Sequence, residues 1–152
     1  MIIDDLLQSA AEISDKETGQ GASETEIQTA QSALGVTFPE SYLAFLRRFG
    51  WARFSTERLY GLGKDAPPYL ELVKVARSER TEAVPPIPMR LIPIMNDGAG
   101  NHFCIDSSVR RGGENPVVFW DHELGTDQEI DFVSTDFAEW LGNLLARLKP
   151  GP

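Results

Sequence analysis

Two histidines and one cysteine carry most of the chemistry this sequence offers. In residues 101–106, a strand would turn His102, Cys104 and Asp106 to one face and Phe103 and Ile105 to the other. Imidazole, thiolate and carboxylate together are the donors of a zinc or thiol site. Same-face neighbours on one strand stand about 7 Å apart, however, too wide for a compact site without ligands from elsewhere. A half-exposed sheet face with no chemistry explains the same pattern, and that reading is preferred. Asp121-His122-Glu123 is denser. A carboxylate beside an imidazole tunes its proton affinity, but adjacent residues of an extended chain diverge and chelate poorly. A structural or partner-contacting role suits this triplet better. Residues 96–101 have turn chemistry without the acid count or terminal Glu of a calcium loop. No catalytic residue, metal ligand or cofactor is assigned.

Other catalytic signatures are missing. Gly98-Ala99-Gly100 lacks a third glycine at the right spacing and precedes a strand, not the helix that a phosphate loop needs. There is no Gly-x-Ser-x-Gly elbow. With one cysteine, an intrachain disulfide is excluded, as a reducing cytoplasm would produce. The opening Met-Ile-Ile-Asp-Asp has acids where a signal peptide carries positive charge, and no apolar run approaches the ~20 residues that span a bilayer. The expectation is a cytoplasmic protein with no membrane partner.

Charge says more. The net charge is −9 over 152 residues, which repels phosphate backbones and argues against nucleic acid as a partner. A basic protein surface fits better, because long-range attraction speeds encounter. The acids are segregated. Residues 1–46 hold eight acids and a single base, Lys16, while residues 112–146 hold eight acids and no Lys or Arg. Between them, residues 47–111 hold eleven bases and seven acids. The plain reading is a solvated surface; the sharper one is that folding joins the two acidic segments into a docking face. The candidate contacts are Asp97, Asp121, Glu123, Asp127 and Glu129. Trp51, which follows a helix-ending glycine, is the candidate aromatic anchor. Core packing is the default for Trp51, Trp120 and Trp140 alike.

The elements that must position these residues can be read in order. Ile2, Ile3, Leu6, Leu7, Ala10 and Ile13 keep helical spacing, and residues 15–22 read as a loop. Ser23 and Glu26 form a capping box for a helix ended by Gly35. Pro39 suits the first turn of a third helix, whose stripe is Tyr42, Phe45, Leu46 and Phe49. A helix-turn-helix that read DNA would need a basic second helix; here only Arg47 and Arg48 stand, at its far end. Residues 59–62 look like a short strand, and 69–76 are ambiguous between strand and helix. Pro85, Pro86 and Pro88 make a stiff connector. Residues 91–95 and 101–106 form a hairpin around a turn at 96–100, followed by strands at 117–120 and 130–133. A last helix is capped by Ser134 or Thr135, carries Phe137, Trp140, Leu141, Leu144, Leu145 and Leu148, and stops at Pro150-Gly151-Pro152. The expectation is one α+β domain over 1–152. Its antiparallel or mixed central sheet has about five to six strands, flanked by N-terminal helices and a C-terminal helix.

Three segments in order resemble one family. Glu24 to Gly50 holds Leu34-Gly35, Phe38-Pro39-Glu40-Ser41-Tyr42, Phe45-Leu46 and Phe49-Gly50. The centre holds Leu91-Ile92-Pro93-Ile94, Asp97-Gly98-Ala99-Gly100-Asn101 and Phe103-Cys104-Ile105-Asp106. The third segment holds Pro116-Val117-Val118-Phe119-Trp120-Asp121-His122-Glu123, then Ser134 and residues 137–141. Together these are similar to the SUKH superfamily, the Smi/Knr-type domain, over residues 24–145, with 1–22 an added helix and loop. Gly50-Trp51 departs from the Asn-Gly type of turn that many members carry there. The resemblance implies an α+β fold with no catalytic residues and no cofactor. It also implies an immunity protein that binds and neutralises a cognate toxin domain, often a nuclease, in a bacterial polymorphic toxin system. The alternative it leaves open is a regulatory or scaffold module, as in fungal regulators of cell-wall synthesis. The expected assembly is a monomer or a weak homodimer.

Overall fold

The computed structural model describes residues 2–148. Within them, five α-helices and a seven-stranded sheet alternate along the chain. The elements are α1 (Ile3–Ala11), β1 (Lys16–Thr18), α2 (Glu24–Leu34), α3 (Glu40–Arg48), β2 (Ala52–Phe54), β3 (Glu57–Leu59), α4 (Leu72–Thr81), β4 (Leu91–Asn96), β5 (His102–Asp106), β6 (Val117–Trp120), β7 (Asp131–Ser134) and α5 (Phe137–Leu148). The α+β expectation holds, and the strand number exceeds it. The strand in the 15–22 stretch is β1, whose Lys-Glu-Thr sequence has no apolar residue to announce it. It forms because Arg53 of β2 lies across from it and meets Glu17 at 3.6 Å.

Caps explain where the helices begin and end. Both bonds of the Ser23–Glu26 capping box are present, and Gly35 takes the left-handed conformation (φ 67°) that releases the chain from α2. Pro39 stands just outside α3 as its N-cap. The ambiguous 69–76 stretch resolves into a short 3-10 turn at Pro68–Leu70 followed by α4, because the Glu71 carboxylate accepts the Lys74 N–H at 2.8 Å and starts a helix. For α5 the cap is Asp136, not Ser134 or Thr135: its Oδ1 accepts the Glu139 N–H at 2.8 Å. Thr135 instead donates its hydroxyl to Glu139 Oε2 at 2.8 Å. The Pro150-Gly151-Pro152 stop lies outside the described residues.

The sheet is a pure antiparallel meander, in which spatial order equals chain order. Its joints are unequal. β4 and β5 share five paired positions, whereas β3 meets β4 at one, Leu59 with Met95, helped by a Tyr60 N–H bond to the Ile94 carbonyl. One face carries Phe103, Ile105 and Val117 under α5 and its neighbours α1 and α3. There Tyr42, Phe45 and Phe137 pack ring against ring, with centroids 5.1 to 5.9 Å apart. Burying each such ring contributes about 2–3 kcal/mol. The other face carries Leu91, Cys104, Val118 and Trp120, closed over by Ile87 in the Pro-rich connector.

Candidate functional site

Topology places the acids. Because each strand pairs antiparallel with the next, the β4–β5 turn (97–101) and the β6–β7 connection (121–130) emerge at the same end of the sheet. Asp97, Asp121, Glu123, Asp127 and Glu129 are therefore brought to one rim. Arg90, Arg110 and Arg111 flank the opposite ends of β4 and β5.

Backbone hydrogen bonding fixes the rim. Asp97 organises the turn: Oδ1 accepts the N–H groups of Ala99 and Asn101, and Oδ2 accepts Asn101 Nδ2 at 2.9 Å. Burial pulls its pKa up, but these bonds outweigh that and hold the carboxyl below its ordinary range. Asn101 stitches the turn to the next loop, because its Oδ1 accepts both the His122 N–H and ring Nδ1, the latter at 2.7 Å. Inside that loop Gln128 acts as a staple. Its Nε2 donates to the Asp121 and Gly125 carbonyls, and its Oε1 accepts the Asp121 N–H. Asp121 in turn accepts the Glu123 N–H at 2.9 Å. The loop is held by a neutral side chain, so the carboxylates of Glu123, Asp127 and Glu129 are left exposed. Among the described residues none of these three forms an ion pair.

Trp51 does not join the rim. It is 5% exposed, its indole N–H donates to Asp65 Oδ1 at 3.2 Å, and a side chain at Gly19 would collide with its ring. Its role as an exposed anchor is corrected: Gly19 leaves a slot that the indole fills. Trp120 and Trp140 are buried, as core packing requires. The signal that residues 15–22 shape this slot was the glycine pair Gly19 and Gly21, which local pattern reads only as a loop.

The histidine strand is also deeper than a half-exposed face. His102 is 2% exposed, and Cys104 and Asp106 are buried with it. The cover comes from α4 and the connector after it, where Glu79 approaches His102 Nε2 at 3.6 Å and Ile87 covers Cys104. Tyr60 Oη shares a 3.1 Å hydrogen bond with the same nitrogen. Burial lowers the His102 pKa to about 4, so the imidazole is neutral at pH 7 and its contact with Glu79 is not an ion pair. Burial likewise raises Glu79, pushes Tyr60 up to about 12, and lifts the Cys104 thiol well above its usual value. The imidazole, phenol and thiol are each held in the neutral form by burial. Among the described residues, no group of three His, Cys, Asp or Glu side chains is close enough to hold a metal ion. At the far end of the strand Asp106 binds Arg90 at 2.6 Å and accepts the Ser108 hydroxyl and N–H.

Comparison with known protein families identifies the fold. The family model SUKH_5, described as SMI1-KNR4 cell-wall, matches residues 1–146. The chain belongs to the SUKH superfamily. The match begins at residue 1, so the SUKH model takes in α1, which the resemblance over 24–145 leaves outside. No curated protein matches the chain. No helix among the described residues is long and apolar enough to cross a membrane.

Proposed function

We propose that this SUKH protein is an immunity protein: in the cytoplasm it binds a toxin domain with a basic surface and neutralises it by occupying that surface. The observation that carries this reading is the rim. There Glu123, Asp127 and Glu129 stand exposed, without cationic partners among the described residues, on a loop ordered by Gln128. Carboxylates fixed in this way mimic the phosphates that a nuclease groove is built to hold. The protein acts as one domain by binding alone, with no catalytic residue and no cofactor. The direct test is co-expression with the product of the adjacent gene. Rescue from that protein's toxicity is expected; a harmless neighbour, or a toxic one that is not rescued, sinks the reading.

The family description names the cell wall, which favours a second reading as a regulatory or scaffold module. In that case the partner is a wall-synthesis component, and the adjacent gene encodes one.

A further inference from the structure

We propose that β7 accepts an extended, basic segment of the partner protein as an added strand of the sheet. The proposal deepens the partner-binding reading and rests on it.

β7 is the last strand of the meander, and its outer backbone groups have no neighbouring strand among the described residues. Such an edge is a template for pairing, and proteins normally blunt it with Lys, Pro or a cover. Here it reads Asp-Phe-Val-Ser, with its first three residues exposed. Phe132 is 64% exposed and Val133 beside it 36%, an apolar pair on the open edge. Phe132 pairs across to Val118, so it lies on the face of the sheet away from α5. There it walls a shallow groove of about 400 Å³ with Val109, Pro116, Val118 and Thr135. The Phe132 ring borders this groove on its outer side, where alternate side chains of a strand added beyond β7 would pack against it.

Charge selects the occupant. Asp127, Glu129 and Asp131 lead into the edge, and residues 112–146 hold no Lys or Arg. The one basic side chain on the groove among the described residues, Arg111, belongs to the β5–β6 connection at the opposite end. A second copy of this chain would bring its own Asp131 and rim against these, with −9 on each molecule, and like charges set across a strand pair repel. A strand that alternates basic and apolar residues satisfies the backbone, the groove and the acids together.

The probe is a short peptide of alternating Lys and Val, blocked at both ends, titrated into the whole protein while amide hydrogen exchange is followed. Slowed exchange confined to Asp131–Ser134 and its neighbours is expected, with affinity falling at least tenfold between low and physiological salt. The same peptide N-methylated along one edge keeps its charge and loses its donors, and it should not bind. Phe132→Ala should weaken binding about tenfold, and Phe132→Lys should abolish it; the side chain is exposed enough that neither change should disturb the fold. Binding without protection of β7, equal binding of the methylated peptide, no binding at all, or a dimer through β7 in the free protein overturns the proposal. Rescue in the co-expression test that survives Phe132→Lys overturns it too, while leaving the immunity reading standing.

Discussion

The two acidic ends of the chain build the two edges of one sheet, and they differ in how their acids are paired. At the β1 edge four carboxylates are employed in holding the fold. Asp15 and Glu17 both reach Arg53, Glu24 binds Arg47 at 2.6 Å, and Glu26 closes the capping box of α2. At the β7 edge the loop is ordered by Gln128 and Asn101; Glu114, Asp121, Asp136 and Glu139 accept hydrogen bonds, but among the described residues no acid of 112–146 forms an ion pair. Equal charge density in the sequence thus separates into an edge with three ion-paired carboxylates and an edge with none among the described residues. The lesson is that an acidic count predicts a docking surface only after the acids with internal partners are removed from it. The acids around β7 gather into a rim with Asp97 from the turn beside it.

The contrast can be broken most severely by reversing charge at the rim. Glu123→Lys, Asp127→Lys and Glu129→Lys together should slow association with a basic partner by on the order of 10²–10³-fold at low salt, with little change in thermal stability. Stopped-flow binding and a melting curve read the two quantities. A large loss of stability would mean that these acids do support the fold.

Next in size is the buried floor under the rim. His102 has a folded pKa of about 4 against 6.5 for the free side chain, so the unfolded chain binds the extra proton between those values. Stability is therefore complete above pH 6.5 and falls as pH drops towards 4, by roughly 3 kcal/mol from this group. Glu79, raised by burial, works in the opposite direction as it gains a proton. Denaturant titrations from pH 7 to 4 should show the decline, and His102→Gln should flatten it.

A smaller effect separates order from charge. Gln128→Ala removes three hydrogen bonds without touching net charge. It should cost about 1–2 kcal/mol locally and weaken partner binding about tenfold through a disordered loop, seen as faster amide exchange at 121–130. Smallest is Ser23→Ala, which should lower stability by about 1 kcal/mol and leave binding untouched. If it weakens binding as much as Gln128→Ala does, the division between edges is wrong.

What was legible in the sequence follows the range of the interaction. The Ser23–Glu26 cap, Gly35 and the 91–106 hairpin rest on neighbours a few residues apart, and they read correctly. β1 is invisible because three polar residues become a strand only by pairing with β2, far along the chain. The cap of α5 is misplaced by one or two residues because Ser134, Thr135 and Asp136 all fit chemically, and only the geometry selects Asp136. The rim is half legible: the charge count and the turn chemistry name its acids. Their union depends on the Asn101–His122 contact, which spans 21 positions. Trp51 and His102 are misjudged for one reason, since the Gly19 slot and the cover of Glu79 and Tyr60 come from distant chain. Asp131 and Phe132 are missed altogether, although a Phe between an acid and Val-Ser at a strand's start is the available signal.

The single pairing between β3 and β4 has a consequence for how the molecule comes apart. Ahead of that joint runs the Pro-rich connector, where Val84 is 93% exposed, a natural site for a protease to nick. A cut there would leave one piece carrying α1 to α4 with β1 to β3, and another carrying β4 to β7 with α5. What would hold them is the packing of α1 and α3 on α5 and of α4 on β4. The chain is in effect a two-part kit, and its fragments should find each other in solution and restore the intact shape by complementation.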